Sequence, residues 1–558
     1  QLSAGGSAVA EMLGGRLVNP NSIDYNERKL LNVVEEMAIA SGIPAPQVYV
    51  MDDEPGINAF AAGRTTGDAV VAVTDGALRL LTRDELQGVI GHEFSHVVNG
   101  DMRLNLRLIG LIFGILCLAV IGRMLLQTRG RKNPLPLLGL ALILIGSAGV
   151  FFGRLIQAAV SRQREHLADA SAVQFTRNPG GLASALKKIG GLSQGSRIES
   201  AHAEETSHLF FANGVRGSFF GLMSTHPPLE ERIRELDPSF DGTYPQITSA
   251  DVAEPAIEPV PPPETPPKVP PPLPTMIAVA AAGIPPQTVL PSVGRPSAEQ
   301  LEYATQFRDT LSETVRAATR NPLGASALIY ALLLSEDETV RNAQHALLAQ
   351  KTEPGAADET IRLWNEVRTA ESSAKIPLID LALPALRTLS LSQYEQFRIA
   401  VDALIATDQQ VDLFEYMLQK VVMRHLEPHF TPKLAPIVQY YDLVPLVDDC
   451  GVVLTAMAYA GQNSPDEAQA AFNQGAELLN RAAGRPIPFV PADQCDMPKL
   501  DVSLNRLSQA VPQIKKNVIN ACAVTLGADG EIRVPETDLI RAIADALDCP
   551  VPPFVVSA

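Results

Sequence analysis

At 558 residues, with 62 acidic against 45 basic side chains and a net charge of −17, the chain is too long for one hydrophobic core and too acidic for general nucleic-acid binding, which needs a basic excess to displace counterions from phosphates. Its five cysteines (117, 450, 495, 522 and 549) form no C-x-x-C pair, which argues against a disulfide framework and suits small buried thiols in a reducing compartment. The chain opens on Gln1 rather than methionine, so a processed or partial form is expected.

The stretch Thr82-Arg83-Asp84-Glu85 is a capping box and predicts the start of a helix. On that helix "GHEFSHVVNGD", residues 91–101, sets His92 and His96 one turn apart on one face, the separation at which two imidazoles share a zinc ion, with Glu93 beside the first. Two ligands leave a tetrahedral ion half coordinated. A metzincin would carry glycine three residues and histidine six residues beyond the second histidine; this chain has Asn99 and Met102 there. The third ligand must come from farther on, and an acidic residue is the usual alternative.

Two hydrophobic stretches follow. "LIGLIFGILCLAVIGRMLL" covers 108–126, interrupted only by Arg123, and "LPLLGLALILIGSAGVFFGRLIQ" covers 135–157. Each is close to the roughly 20 residues that cross a bilayer as a helix. The short "QTRGRKNP" between them predicts a transmembrane hairpin that returns to the side it left; a buried hairpin inside a globular protein is the alternative. Arg123, Arg129, Arg131 and Lys132 mark its tip, and Arg103, Arg107, Arg154, Arg162 and Arg164 flank its base, so the positive-inside rule does not decide orientation.

No Asp or Glu occurs between Asp101 and Glu165, which makes Glu165, in "SRQREHLADASAV" (161–173), the first carboxylate after the hairpin. A returning helix that continues into this segment brings Glu165 beside His92 and His96. The expected site is one Zn2+ per chain on His92, His96 and Glu165, with a fourth position open for water. Zinc would make that water a nucleophile and polarise the scissile carbonyl, and Glu93 would act as general base, passing the proton to the leaving amine. Asp169, four residues after Glu165 on the same helical face, could accept the free ring N–H of a ligand histidine and fix its tautomer. Asn99 and Asp101, one turn beyond His96, are weaker candidates for the same task.

Residues 255–274, "PAIEPVPPPETPPKVPPPLP", hold eleven prolines in twenty positions and read as an extended linker, roughly 60 Å when fully stretched. From about Pro296 the pattern is helical, opening with Ser297 and Gln300 as a capping box. "TLGADGEIRVPE" (525–536) tempts an EF-hand reading, but Thr525 and Gly527 stand where calcium-loop carboxylates belong. An internal echo fits better: "TDQQVDLFE" (407–415) matches "ADGEIRVPE" (528–536), pairing Asp408 with Asp529, Val411 with Ile532, Leu413 with Val534 and Glu415 with Glu536, as duplicated helical units would.

Taken in order, "GINAFAAGRTTGDAVVAVTDGAL" (56–78), "HEFSHVVNGD", the hydrophobic hairpin, "SRQREHLADA" and "STHPPLEERIREL" (224–236) resemble the HtpX-like zinc metallopeptidases, relatives of the CAAX prenyl proteases, over about residues 20–240. The resemblance implies a gluzincin fold, Glu165 as third ligand, and a multi-pass enzyme of the bacterial inner membrane whose active site faces the cytoplasm. It also implies polypeptide substrates, membrane proteins among them, and a role in membrane-protein quality control. His226 matches a family histidine near the metal that would stabilise the oxyanion; from the residues alone, a histidine before Pro-Pro serves equally as a turn cap. Asn58, Ala59 and Phe60 match the family's strand along the cleft, where a substrate peptide could add by main-chain hydrogen bonds, or they form an ordinary strand of a small sheet. Two features depart from the pattern. His166 stands where an aromatic is common, and would point about 100° around the helix from Glu165. The C-terminal half is not required by a protease of this kind; "ADGEIRVPETDLIRAIADALDCP" looks like TerB-like helical domains.

The expected architecture is mostly α with a small β-sheet: an α+β gluzincin-like protease domain over 1–250 carrying a transmembrane hairpin (108–126 and 135–157), a proline-rich linker over 251–295, and an all-α TerB-like domain over 296–558. That last domain is expected to regulate or to bind a protein partner. The alternative function is a membrane scaffold, non-catalytic or devoted to one substrate, in which the helical module is the working part.

Overall fold

The computed structural model describes residues 5–127, 134–193, 195–200, 210–212, 226–247, 283–368, 374–407, 413–431, 438–462 and 464–555. The proline-rich stretch, the hairpin-tip residues Arg129, Arg131 and Lys132, and Asp408 and Val411 of the internal echo lie outside the described residues. The chain forms two compact units, one of 1–18, 24–33 and 47–258, the other of 19–23, 34–46 and 259–558. Among the described residues it is mostly helical with one four-stranded sheet, as the sequence leads one to expect.

The first unit holds the sheet. After α1 (Gly6–Met12) and β1 (Arg16–Leu17), helix α2 (Tyr25–Ser41) leads to β2 (Gln47–Met51), β3 (Ala59–Ala62) and β4 (Val70–Thr74). The strand order is β1-β2-β4-β3, with β2 parallel to β4 and β3 antiparallel to β4 at an edge. Alternate residues Tyr49, Met51, Phe60, Ala62, Val70 and Ala72 join Val9 and Ala10 of α1 and Leu13 just after it in one apolar cluster, the period of two that a strand imposes on its faces.

Short α3 (Asp75–Leu80) runs into α4 (Arg83–Asn99). The capping box forms as read: Thr82 N–H donates to Glu85 Oε2 at 2.8 Å, and Glu85 N–H donates to Thr82 Oγ1 at 3.3 Å. Glu85 is also held by Lys188 at 2.7 Å and Ser184 at 2.6 Å, both on α7 (Pro179–Gly191). Gly88 explains how closely α4 and α7 approach, since a Cβ there would sit 3.0 Å from Leu182 N. Gly100, at φ 70°, ends α4 in the left-handed conformation that glycine adopts without steric cost.

Helix α5 (Asp101–Leu126) leaves at once, and α6 (Leu135–Thr176) returns as a 42-residue rod. The two pack backbone to backbone through small residues: a Cβ on Gly122 would lie 2.5 Å from Gly139 O, one on Gly139 2.6 Å from Gly122 O, and one on Gly146 2.7 Å from Ala119 N. Outward, Leu111, Phe113, Leu137, Leu144, Ile145, Phe152 and Ile156 are exposed, a continuous apolar surface of the kind that lipid covers. Among the described residues two helices are long and apolar enough to cross a membrane, Leu135–Thr176 and Val444–Gly461. The first is 11% buried over its apolar window; the second is 61% buried, as a core helix of the other unit would be. The apolar part of α5, Gly110–Leu126, is shorter.

Helix α8 (Leu229–Leu236) completes the elements around the site. In the second unit the described residues from Val289 to Ala546 are helices joined by turns, among them Ala298–Thr310, which the Ser297–Gln300 pair opens, Leu413–Phe430, and Val534–Ala546, whose first turn Glu536 caps through Arg533 N–H at 2.6 Å. Ile284 and Ile532 exchange backbone hydrogen bonds of 3.0 and 2.9 Å, a bridge in the middle of the 528–536 segment.

Replacing Gly139 by leucine should overpack the hairpin and cost about 1–3 kcal/mol, while leucine at Gly110, which has open space around it, should cost little. The check is the thermal unfolding midpoint of the two variants in detergent: a clear fall for the first and none for the second.

Candidate metal centre

Helix α4 presents His92 and His96 one turn apart, and α6 crosses it with Glu165 and Asp169. Donor atoms of His92, His96 and Glu165 all lie within 4.8 Å of one another. His92 Nε2 is 3.2 Å from His96 Nε2 and 3.6 Å from Glu165 Oε2, and His96 Nε2 is 3.5 Å from Glu165 Oε1. The opposite ring nitrogens face carboxylates: His92 Nδ1 is 2.8 Å from Asp169 Oδ1, and His96 Nδ1 is 2.9 Å from Asp101 Oδ2.

Those partners fix the chemistry. With each Nδ1–H donating to a carboxylate, both Nε2 atoms, once free of a proton, offer lone pairs beside the two Glu165 oxygens. Three electron-rich donors in one buried spot call for a cation, and two imidazoles with one carboxylate suit zinc or a similar borderline ion. The donor set therefore fits a resident metal. Burial pushes the His92 imidazolium down, but Asp169 and Glu165 outweigh burial and raise it to about 9. Glu165 is itself pushed up by burial, yet His226 and His92 override this and hold it well below the usual carboxylate range.

Glu93 is 1% exposed and has two unlike oxygens. Oε2 accepts the Ala61 N–H of β3 at 2.8 Å, whereas Oε1 has no hydrogen-bond partner among the described residues. Burial pushes its pKa above the ordinary carboxylate value, and the two histidines only partly offset this. A raised carboxylate beside a metal-ligand trio has the proton affinity of a general base.

His226, 3% exposed, places Nδ1 3.0 Å from Glu165 Oε2, so it sits at the site and not in a remote turn. His166 is turned away: its Nδ1 lies 2.8 Å from Glu235 and its Nε2 3.9 Å from Glu231, both on α8. Asn99 reaches neither ligand ring; its amide donates to Ser95 Oγ at 3.0 Å, one turn back, and its carbonyl accepts from Arg164 at 3.4 Å. Asp101, by contrast, pairs with Arg164 while facing His96.

The strand residues are less open than a docking edge needs to be. Asn58 is fully buried, its amide donating to Ser196 O at 2.7 Å and Ala212 O at 3.0 Å. The outer edge at Ala59 is already taken, because Phe211 N–H donates to Ala59 O at 2.8 Å and Phe210 bridges Phe60. The chain's own residues 210–212 thus lie where a peptide was expected to pair with Ala59.

Two participants carry no sequence signal. Arg232 of α8 is 2% exposed and grips Asp169 with Nε at 2.8 Å and Nη2 at 2.7 Å. Its Nη1 donates to Phe211 O at 2.8 Å, and the Phe211 ring meets His92 edge-to-face at 4.9 Å between centroids. Within "LEERIREL" this arginine reads as one more charge on a solvated helix.

Residues 24–239 match the family model described as Peptidase family M48. A protein named Protease HtpX homolog from Dictyoglomus thermophilum is 45% identical over 212 residues, 37% of this chain and 68% of that relative. One of the same name from Tropheryma whipplei is 40% identical over 243 residues, 42% of this chain and 82% of the relative. Another, from Streptococcus uberis, is 41% identical over 216 residues, 37% of this chain and 71% of the relative. No solved structure matches the chain.

A metal that takes the place of the proton on His92 must expel it. Because Asp169 and Glu165 raise that imidazolium to about 9, zinc titrated into metal-stripped protein near pH 7.5 should release about one proton per chain, and the release should fade above pH 10. Calorimetry in two buffers of different ionisation heat measures it.

Proposed function

The chain belongs to peptidase family M48, a metallopeptidase family, and on that premise we propose that it is a membrane-anchored zinc endopeptidase. His92, His96 and Glu165 hold the zinc, and Glu93 is the general base. The observation that carries this reading is the half-satisfied Glu93: one oxygen is pinned by the Ala61 N–H and the other is buried without a partner, next to three converging donors. A buried carboxylate with an unused lone pair is costly to keep unless something arrives to bond it.

Zinc, when bound, lowers the pKa of a coordinated water and polarises the scissile carbonyl. The rest falls to the chain. Asp169 and Asp101 keep the ligand rings in the tautomer that turns Nε2 inward. Glu93 accepts the proton of the attacking water on its free oxygen and delivers it to the leaving amine. His226, beside Glu165, is the group placed to donate to the oxygen of the carbonyl under attack. A substrate strand running along β3 meets Phe211 at Ala59; by the alternation of an antiparallel edge strand, Ala61 C=O and Gly63 N–H face outward beyond it. Main-chain pairing of that kind tolerates many side chains, which suits unfolded or damaged polypeptides.

The reading extends to place and role by family alone: a bacterial inner membrane, the active site toward the cytoplasm, and membrane-protein quality control. The apolar hairpin supports the membrane part. The helical unit after residue 283 serves as a TerB-like regulatory or partner-binding module, tethered by the proline-rich linker.

The test uses detergent-solubilised wild type and Glu93→Gln, with metal content measured beside casein cleavage. Both should hold one zinc per chain, chelator should abolish wild-type cleavage, and the variant should be slower by about 10²–10⁴. A zinc-replete wild type that cleaves nothing would overturn the enzyme reading.

A further inference from the structure

We propose that Arg232 is a positioning residue for the metal centre, fixing the ring of His92 from two sides at once. The inference rests on the metallopeptidase reading and gives a role to a residue that the sequence analysis left without one. Its basis is the bonding around one buried guanidinium. Asp169 Oδ1 is shared between His92 Nδ1 at 2.8 Å and Arg232 Nη2 at 2.7 Å, while Oδ2 takes Arg232 Nε at 2.8 Å. With both oxygens engaged, the carboxylate cannot rotate, so the direction of the bond it offers His92 is set by Arg232. The third nitrogen, Nη1, donates to Phe211 O at 2.8 Å, and the guanidinium also lies over the Phe211 ring at 4.7 Å. That ring is the one packed edge-to-face on His92. One cation thereby orders both the acceptor behind the ligand ring and the wall beside it.

The geometry requires arginine. Lysine carries one compact ammonium and cannot make two parallel bonds to a carboxylate while reaching a carbonyl with a third donor. Arg232 lies on α8 and Asp169 on α6, so the hold on the metal depends on α8 being docked. Partners that orient ligand residues in this way typically change metal affinity 10–100-fold when lost.

The experiment follows zinc release from full-length, detergent-solubilised protein to a chromogenic chelator, with no assay of cleavage. The proteins are wild type, Arg232→Lys, Arg232→Met, Asp169→Asn and the Asp169→Asn/Arg232→Met pair, each with its metal-free unfolding midpoint recorded. Release should be about 10–100-fold faster in both arginine variants, and lysine should not rescue. In the Asp169→Asn background, Arg232→Met should add less than about threefold, because the two act through one bond. Zinc held as tightly by folded Arg232→Lys as by wild type would overturn the proposal. So would fully additive effects in the double variant, which would mark Arg232 as a merely structural residue. Should Arg232→Met fail to fold, the lysine variant alone decides. Failure of the wild type to hold zinc would instead sink the metallopeptidase reading, so the two failures are told apart.

Discussion

The contact on which the site depends is the bond between His92 of α4 and Asp169 of α6. It joins two helices at the point where four ionisable side chains, His92, Glu93, Glu165 and Asp169, are almost fully removed from water. Burying that much charge is unfavourable unless each group finds a partner. The structure supplies them in a chain: Arg232 to Asp169, Asp169 to His92, His226 to Glu165. Asp169 illustrates the balance. Burial pushes its carboxyl up, but Arg232 and His92 win and hold it far below the usual range, so it stays an acceptor. Removing any one partner leaves a buried charge exposed to the full desolvation cost, which is why the network stands or falls as a unit.

Helix length does the rest of the positioning. A rod of 42 residues is about 60 Å long. Its first part is apolar and exposed; its last part carries Glu165 and Asp169 to His92 and His96 without a hinge. From 157 to 165 is about 12 Å of helix, so a metal site on Glu165 lies close to where the apolar surface ends. On the proposed reading, one rod both crosses the membrane and fixes the third ligand. Small residues make the approach possible at both ends, Gly139 and Gly146 within the hairpin and Ala172 against Gly91 where α6 meets α4.

What the sequence reveals of this site follows from how local each feature is. His92, Glu93 and His96 are legible because helical spacing alone puts them together, and Thr82 with Glu85 marks where that helix begins. Glu165 is legible for a different reason: the apolar stretch before it holds no carboxylate, so the first one after it stands out. Asp169 follows by the same i, i+4 rule. Arg232 and Phe211 are not legible. Their roles depend on contacts with residues remote in the chain, Asp169 63 residues before Arg232 and His92 still farther from Phe211, and an arginine among glutamates on a short helix has the pattern of a solvated face. Asn99 misled by proximity: one turn beyond His96 it could have faced the ring, but Ser95 lies nearer along its own helix. Ala59 misled because an edge strand in sequence gives no hint that residues 210–212 will cover its outer side.

Glu93 is where the helices and the sheet meet. Of the two elements that could hold a base still, α4 carries it and β3 steadies it through a main-chain N–H at Ala61. That bond uses an outward donor of β3, so on the proposed reading the base and a bound peptide would share one backbone. Any shift of β3 relative to α4 moves the base relative to the ligand histidines. The buried sheet resists such a shift: every residue of β3 and β4 is buried, and β4 is clamped between β2 and β3. Rigidity of the small sheet would therefore be a condition of the proposed chemistry.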